Sequence, residues 1–248
     1  MGVITLSGHS GCKIELIGDV VRKTSPSLDY NPRLRSQIEK QDEFENEIFS
    51  SPKILKKGFN TSGLFYSDME FIPGRKASEF LTSATFSETQ WLFEKIESFI
   101  VSNYSDNVSD CKQIIMDKCQ QLPNFPLGSL ENLDLNIETG YCHGDLTLEN
   151  MIIHNSEIFL IDFLDSYLDS PIIDASKLLQ DGFFGWSYRH DSMVPIHRMV
   201  ELSDSHSSEI ADIFTLINLY RIIPYSNETT NQIIRRWIKW LSQRINLH

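Results

Sequence analysis

Apolar positions change their spacing near residue 75. Before it, short alternating or β-branched runs dominate; after it, steps of three and four residues do. Residues 3–6 are apolar and β-branched, 13–17 alternate polar and apolar, and 20–23 follow the tight-turn pair Gly18-Asp19. These runs predict an antiparallel meander whose first turn, Ser7-Gly8-His9-Ser10-Gly11, carries two glycines. Residues 33–49 predict a helix, with Leu34, Ile38, Gln41, Glu45 and Ile48 on one stripe and Ser51-Pro52 ending it. Two further strands are expected over 53–55 and 64–71. The breaker Ile72-Pro73-Gly74 closes this part of the chain and divides a lobe of residues 1–72 from a lobe of residues 73–248.

Beyond the boundary the pattern turns helical. Ser87-x-x-Gln90 reads as a capping box ahead of Leu92, Ile96, Phe99 and Ile100. A helix over 110–122 stops at Pro123, and a short one holds Leu130 and Leu133. Residues 151–153 and 158–161 are short apolar runs around Asn155-Ser156, which predicts a hairpin. Helices return over 174–179, about 207–223 and about 228–246. The class is α+β: a small antiparallel sheet with one helix, followed by a mainly helical region.

Composition narrows the function. The chain has 248 residues, 41% of them apolar, enough for a sizeable core. A net charge of −12 repels phosphate backbones and anionic lipid, so neither nucleic acid nor a membrane is an expected partner. Cys12, Cys111, Cys119 and Cys142 have neither zinc nor dense-disulfide spacing, which fits free thiols in a reducing cytoplasm. The N-terminus lacks the pattern of a signal peptide, and no apolar run is long enough to cross a bilayer.

The chemistry is concentrated in Tyr141-Cys142-His143-Gly144-Asp145-Leu146-Thr147-Leu148-Glu149-Asn150, with Asp162 at the end of the following apolar run. Phosphoryl transfer needs a carboxylate to orient a hydroxyl nucleophile and accept its proton. It also needs oxygen ligands for the divalent cation on the triphosphate. Asp145 suits the first task. Asn150 and Asp162, on opposite arms of the hairpin, suit the second.

His143-x-Asp145-x-x-x-x-Asn150 and Asp162-Phe163 resemble the catalytic loop and metal-binding segment of protein kinases. With Gly144 after the histidine, the sequence resembles the aminoglycoside phosphotransferase and choline kinase branch, whose substrates are small molecules. The resemblance implies a two-lobed protein-kinase-like fold, ATP and Mg2+ as cofactors, Asp145 as base, Asn150 and Asp162 as metal ligands, and His143 as a brace of the loop. It also implies that Gly8 and Gly11 lie over the phosphates and that Lys23, on the third strand, meets them. Glu45, or a glutamine at Gln41, would partner Lys23, with Glu39 near the expected spacing. Met69-Glu70-Phe71-Ile72-Pro73-Gly74 resembles the lobe hinge, where adenine would bond backbone groups of Glu70 and Ile72. Asp174 matches a buried structural aspartate of the small-molecule branch.

Two departures turn the expectation away from a regulated protein kinase. Leu164 stands where D-F-G has its glycine, and no A-P-E segment follows. Asp165 and Trp186 are candidates for the acceptor site, the acid against a cationic group and the indole against a sugar ring. The resulting expectation is an ATP-dependent kinase for a sugar, polyol, amino alcohol or aminoglycoside-like molecule. The alternatives are an effector or toxin that phosphorylates protein, and a nucleotide-binding pseudokinase scaffold.

Overall fold

The β-branched runs of the first quarter form a five-stranded antiparallel sheet in a computed structural model that describes residues 3–6, 11–131, 133–189, 194–206 and 208–245. Its strands are β1 (Val3–Leu6), β2 (Lys13–Ile17), β3 (Val20–Thr24), β4 (Ile54–Phe59) and β5 (Phe65–Glu70), in the order β1-β2-β3-β5-β4. The register of β3 with β5 places Val21 opposite Met69 and Lys23 opposite Ser67. Helix α1 (Asn31–Asp42) buries Leu34 and Ile38 in one cluster with Cys12, Phe65 and Met69.

α1 ends at Asp42, well short of the expected position 49. Asn46 explains the stop: its side-chain oxygen accepts the N–H groups of Ile48 (2.8 Å) and Phe49 (3.0 Å). That local turn competes with helical bonding. Glu45 therefore lies on an exposed, irregular stretch and not on the helix. Gln41, still on the helix, is buried and donates its amide to the Pro52 carbonyl at 2.9 Å.

The chain forms two compact units, one joining Met1–Ala77 to Glu149–Asp165 and the other joining Ser78–Leu148 to Ser166–His248. In the first, β9 (Met151–His154) and β10 (Glu157–Leu160) form the expected hairpin, after the short strands β6 (Arg75–Lys76), β7 (Tyr104–Asp110) and β8 (Asn136–Gly140) in chain order. Asn155 and Ser156 both have positive φ, 50° and 62°, the signature of a two-residue turn matched to strand twist. β6 pairs with β9, and a Cβ on Gly74 would sit 2.4 Å from the Ile153 carbonyl oxygen, so that crossing needs glycine. Ser50 adds a parallel bridge to Phe159 on the outer arm of the hairpin.

The second unit is mainly helical: α2 (Ala77–Ser83), α3 (Phe86–Ser102), α4 (Lys112–Gln120), α5 (Pro171–Phe184), α6 (Ile196–His206), α7 (Glu209–Ile222) and α8 (Glu228–Arg244). The capping box of α3 is Thr85 with Glu88, two residues before the expected pair. That start turns Thr89, Leu92, Phe93, Ile96, Phe99 and Ile100 inward. Sequence periodicity does not reveal the ribbon β7–β8, because Tyr-Ser-Asp-Asn-Val-Ser-Asp has no apolar alternation, nor does it reveal α6. The expected helix around Leu130 is a single tight 3-10 turn, Leu127–Leu130. α4, α5, α7 and α8 close the core around Ile115, Leu179, Phe214, Ile217, Ile234 and Leu241.

Candidate active site

The loop 143–148 has no regular hydrogen-bond ladder, and charged side chains on α5 supply its partners instead. α5 starts cleanly: Ser170 caps it by accepting the Ile172 N–H, and Pro171 fills the first turn. Asp174, 1% exposed, accepts the backbone N–H groups of His143 at 2.6 Å and Gly144 at 2.8 Å. Gly144 has φ of 91°, a conformation that other side chains resist. Two turns along, the fully buried Asp181 accepts the Leu148 N–H at 2.7 Å, and its other oxygen accepts the Ser187 N–H at 2.7 Å. Within the loop, His143 is fully buried and its Nδ1 faces the Asp145 N–H at 3.3 Å. The Asp145 carbonyl accepts the Thr147 N–H at 2.8 Å.

Lys177 lies between the two aspartates, so 174, 177 and 181 occupy one face of α5 at steps of three and four. Its Nζ is 3.0 Å from Asp145 Oδ1, and its side chain is 10% exposed. Negative charge in this unit is felt at neighbouring phenols. Burial, then Glu138 and Asp174, push Tyr104 up to about 12.

In the sheet-bearing unit, Lys23 Nζ is 2.6 Å from Asp162 Oδ1. The lysine is 5% exposed, while the Asp162 side chain is 41% exposed. Burial opposes the ammonium charge, but the attraction of Asp162 and its hydrogen bond outweigh it and hold Lys23 above its ordinary value. A lysine shifted upward stays cationic at neutral pH, and the pair's contribution fades only as pH rises beyond the usual lysine range. Asp162 has φ of 60°, which is strained for a residue with a Cβ.

Asn150, 9% exposed, closes the hairpin by accepting the Ile161 N–H on its carbonyl at 3.0 Å. Asn150 and Asp162 thus flank the open end of the ribbon. α1 grips the segment that follows: Ser36 Oγ donates to Asp165 at 2.9 Å, Lys40 Nζ donates to the Leu164 carbonyl at 2.7 Å, and the rings of Phe44 and Phe163 are 5.1 Å apart. An amide and a carboxylate are hard oxygen donors. Among the described residues no group of three or more His, Cys, Asp or Glu could hold a metal by itself. That donor set fits Mg2+, which takes one or two protein oxygens and completes its shell with water and phosphate.

Residues 104–192 match the model described as the phosphotransferase enzyme family. The whole structure is similar to that of APH(2")-IIIa solved with GDP and kanamycin, with a TM-score of 0.66, 13% identity, and coverage of 100% of this chain and 94% of that one. It is also similar to an apo thermostable mutant of APH(4)-Ia, with a TM-score of 0.64, 12% identity, and coverage of 99% and 94%. The fold is that of the aminoglycoside phosphotransferases. A third structure with this fold, the streptomycin–ATP complex of APH(2")-IIa, has a TM-score of 0.58 at 16% identity, with coverage of 98% and 91%. No curated protein matches the sequence.

On this phosphotransferase fold the expected residues fall as follows. Lys23 and Asp162 meet directly, although they are 139 residues apart. Asn150 lies at the base of the same hairpin, and Asp174 braces the loop that carries His143 and Asp145. Gly11 is exposed with φ of 72°, whereas Gly8 lies outside the described residues. Glu70 ends β5 and donates its N–H to the Lys53 carbonyl, and Ile72 is buried just after it. Glu45 corrects an expectation: the carboxylate on Lys23 belongs to Asp162, and Glu45 stands beyond the end of α1. Asp165 is tied to Ser36 within the sheet-bearing unit. Trp186 packs against the helical core, with the Arg189 guanidinium 4.4 Å from its ring centre. Sequence reasoning passed over Lys177 and Asp181. Their signal was present as three charges at helical spacing within a largely apolar segment.

Proposed function

We propose that this chain is a phosphotransferase that moves the γ-phosphoryl group of ATP to a hydroxyl of a small molecule. The observation that carries the reading is the Lys23–Asp162 pair, a buried ammonium joined to an accessible carboxylate at the mouth of the Asn150 hairpin. Lys23 would meet the phosphates. Asn150 and Asp162 would hold Mg2+, which supplies charge neutralisation on the triphosphate. Asp145 would accept a hydrogen bond from the acceptor hydroxyl. The hydroxyl oxygen forms a bond to the γ-phosphorus as the bridging γ-phosphorus–oxygen bond breaks. The leaving electron pair stays with ADP, and the proton passes to the Asp145 carboxylate and then to solvent.

Gly11 would contact the phosphates, and backbone groups of Glu70 and Ile72 would contact the base. Related structures were solved with GDP as well as ATP, so both triphosphates belong in the test. They also include kanamycin and streptomycin complexes. A net charge of −12 on this chain favours a cationic, hydroxyl-rich acceptor of that chemical class.

The test is ADP or GDP release from the magnesium nucleotide in the presence of pooled sugars, polyols, amino alcohols and aminoglycosides. Stimulation by one small-molecule pool supports the proposal. Label transferred only to protein would favour a protein kinase, and nucleotide binding without turnover would favour a scaffold. Lys23→Met is expected to weaken MgATP binding about 10- to 100-fold, the loss of one to two charge-assisted contacts, as read by calorimetry. Unchanged affinity would remove Lys23 from the nucleotide site.

A further inference from the structure

We propose that Lys177 is a positioning residue for Asp145, holding its carboxylate in the orientation from which it receives the acceptor proton; this rests on the reading of Asp145 as proton acceptor. The Nζ lies 3.0 Å from Asp145 Oδ1. It projects from the second turn of α5, an element whose own place relative to the loop is fixed by Asp174 and Asp181. Those two carboxylates spend their oxygens on backbone N–H groups of His143, Gly144, Leu148 and Ser187. Lys177 is thus the α5 cation that faces the loop side chain, on the same helix face as Asp174 and Asp181.

Stability alone gives a poor reason for this lysine. Lys177 is 8% exposed, and its neighbours Ile173, Leu178 and Leu179 are buried. A buried ion pair seldom outperforms an apolar residue of similar size, because desolvating the ions offsets their attraction. An ammonium kept at such a position is better explained by what it does to Asp145. Pinning one carboxylate oxygen restricts side-chain rotation, so the acceptor O–H meets an aligned acceptor.

The experiment measures ADP release from MgATP with water as the acceptor, so no identified substrate is needed. The proteins compared are wild type, Lys177→Met, Lys177→Arg, Asp145→Asn and the Lys177→Met/Asp145→Asn double variant. Lys177→Met is expected to lower kcat by at least about tenfold with KM for MgATP within about twofold. Lys177→Arg should restore most of the rate. In the Asp145→Asn background, Lys177→Met should have no further effect, because the two act as one unit. Should the methionine variant fail to fold, Lys177→Gln makes the same comparison. Equal kcat in wild type and the uncharged variants, or additive losses in the double variant, would overturn the proposal. Hydrolysis that Asp145→Asn leaves untouched would instead overturn the role of Asp145 itself, and this inference with it.

Discussion

Asp145→Asn is expected to lower phosphoryl transfer by about 10²- to 10⁴-fold, the range for loss of a positioned proton acceptor, while MgATP binding stays within about twofold. The separation follows from where the groups reside. Lys23, Asn150 and Asp162 are the proposed nucleotide and metal contacts, and Asp145 sits on a loop held by α5. Asparagine keeps the size of the side chain and an oxygen toward Lys177 but cannot take the proton. Asp145→Ala goes further, because it leaves the nearly buried Lys177 ammonium without the carboxylate at 3.0 Å. With Asp145 itself about a quarter exposed, solvent softens that loss, and about 1–3 kcal/mol of stability is the expected cost. Steady-state ADP release, calorimetric nucleotide binding and thermal melting check the three parts. Equal turnover in wild type and the asparagine variant would remove Asp145 from the chemistry.

The second large effect is on stability. Asp174→Ala removes the acceptor for two backbone N–H groups in a loop whose His143 is fully buried. A 1% exposed carboxylate bonded to two amides is replaced by a methyl group that bonds neither. Losing two charge-assisted hydrogen bonds and stranding their donors costs about 3–5 kcal/mol, a large part of an ordinary domain's 5–15 kcal/mol. Urea unfolding should show this as a lower midpoint. Asp174→Asn, which keeps one acceptor oxygen, should lie between alanine and wild type. A loss below about 1 kcal/mol for alanine would mean that the loop is held by other contacts.

These effects separate what the chain's pattern reveals from what it conceals. The strands β2 and β3, the hairpin around Asn155-Ser156 and the helices α5, α7 and α8 announce themselves, because alternation, a turn pair and three- and four-residue steps are local signals. His143, Asp145, Asn150 and Asp162 are legible for the same reason: one short segment carries them. What stays hidden depends on contacts distant in sequence. The partner of Lys23 is 139 residues away, so spacing along the next helix pointed to Glu45, beyond a stop that Asn46 imposes by its side chain. Lys177 is 32 positions past Asp145 and reads as one charge on a helix until the loop is laid along α5. The ribbon β7–β8 is held by backbone pairing with few apolar residues, which leaves periodicity nothing to detect.

Phosphorus NMR tests the central claim most directly. Wild-type protein with MgATP and the pool that stimulates nucleotide turnover should yield a new phosphomonoester signal growing in step with ADP, and Asp145→Asn should yield none. Growth of inorganic phosphate alone, or an ester signal of equal rate in the asparagine variant, would contradict a hydroxyl-directed transfer that depends on this carboxylate.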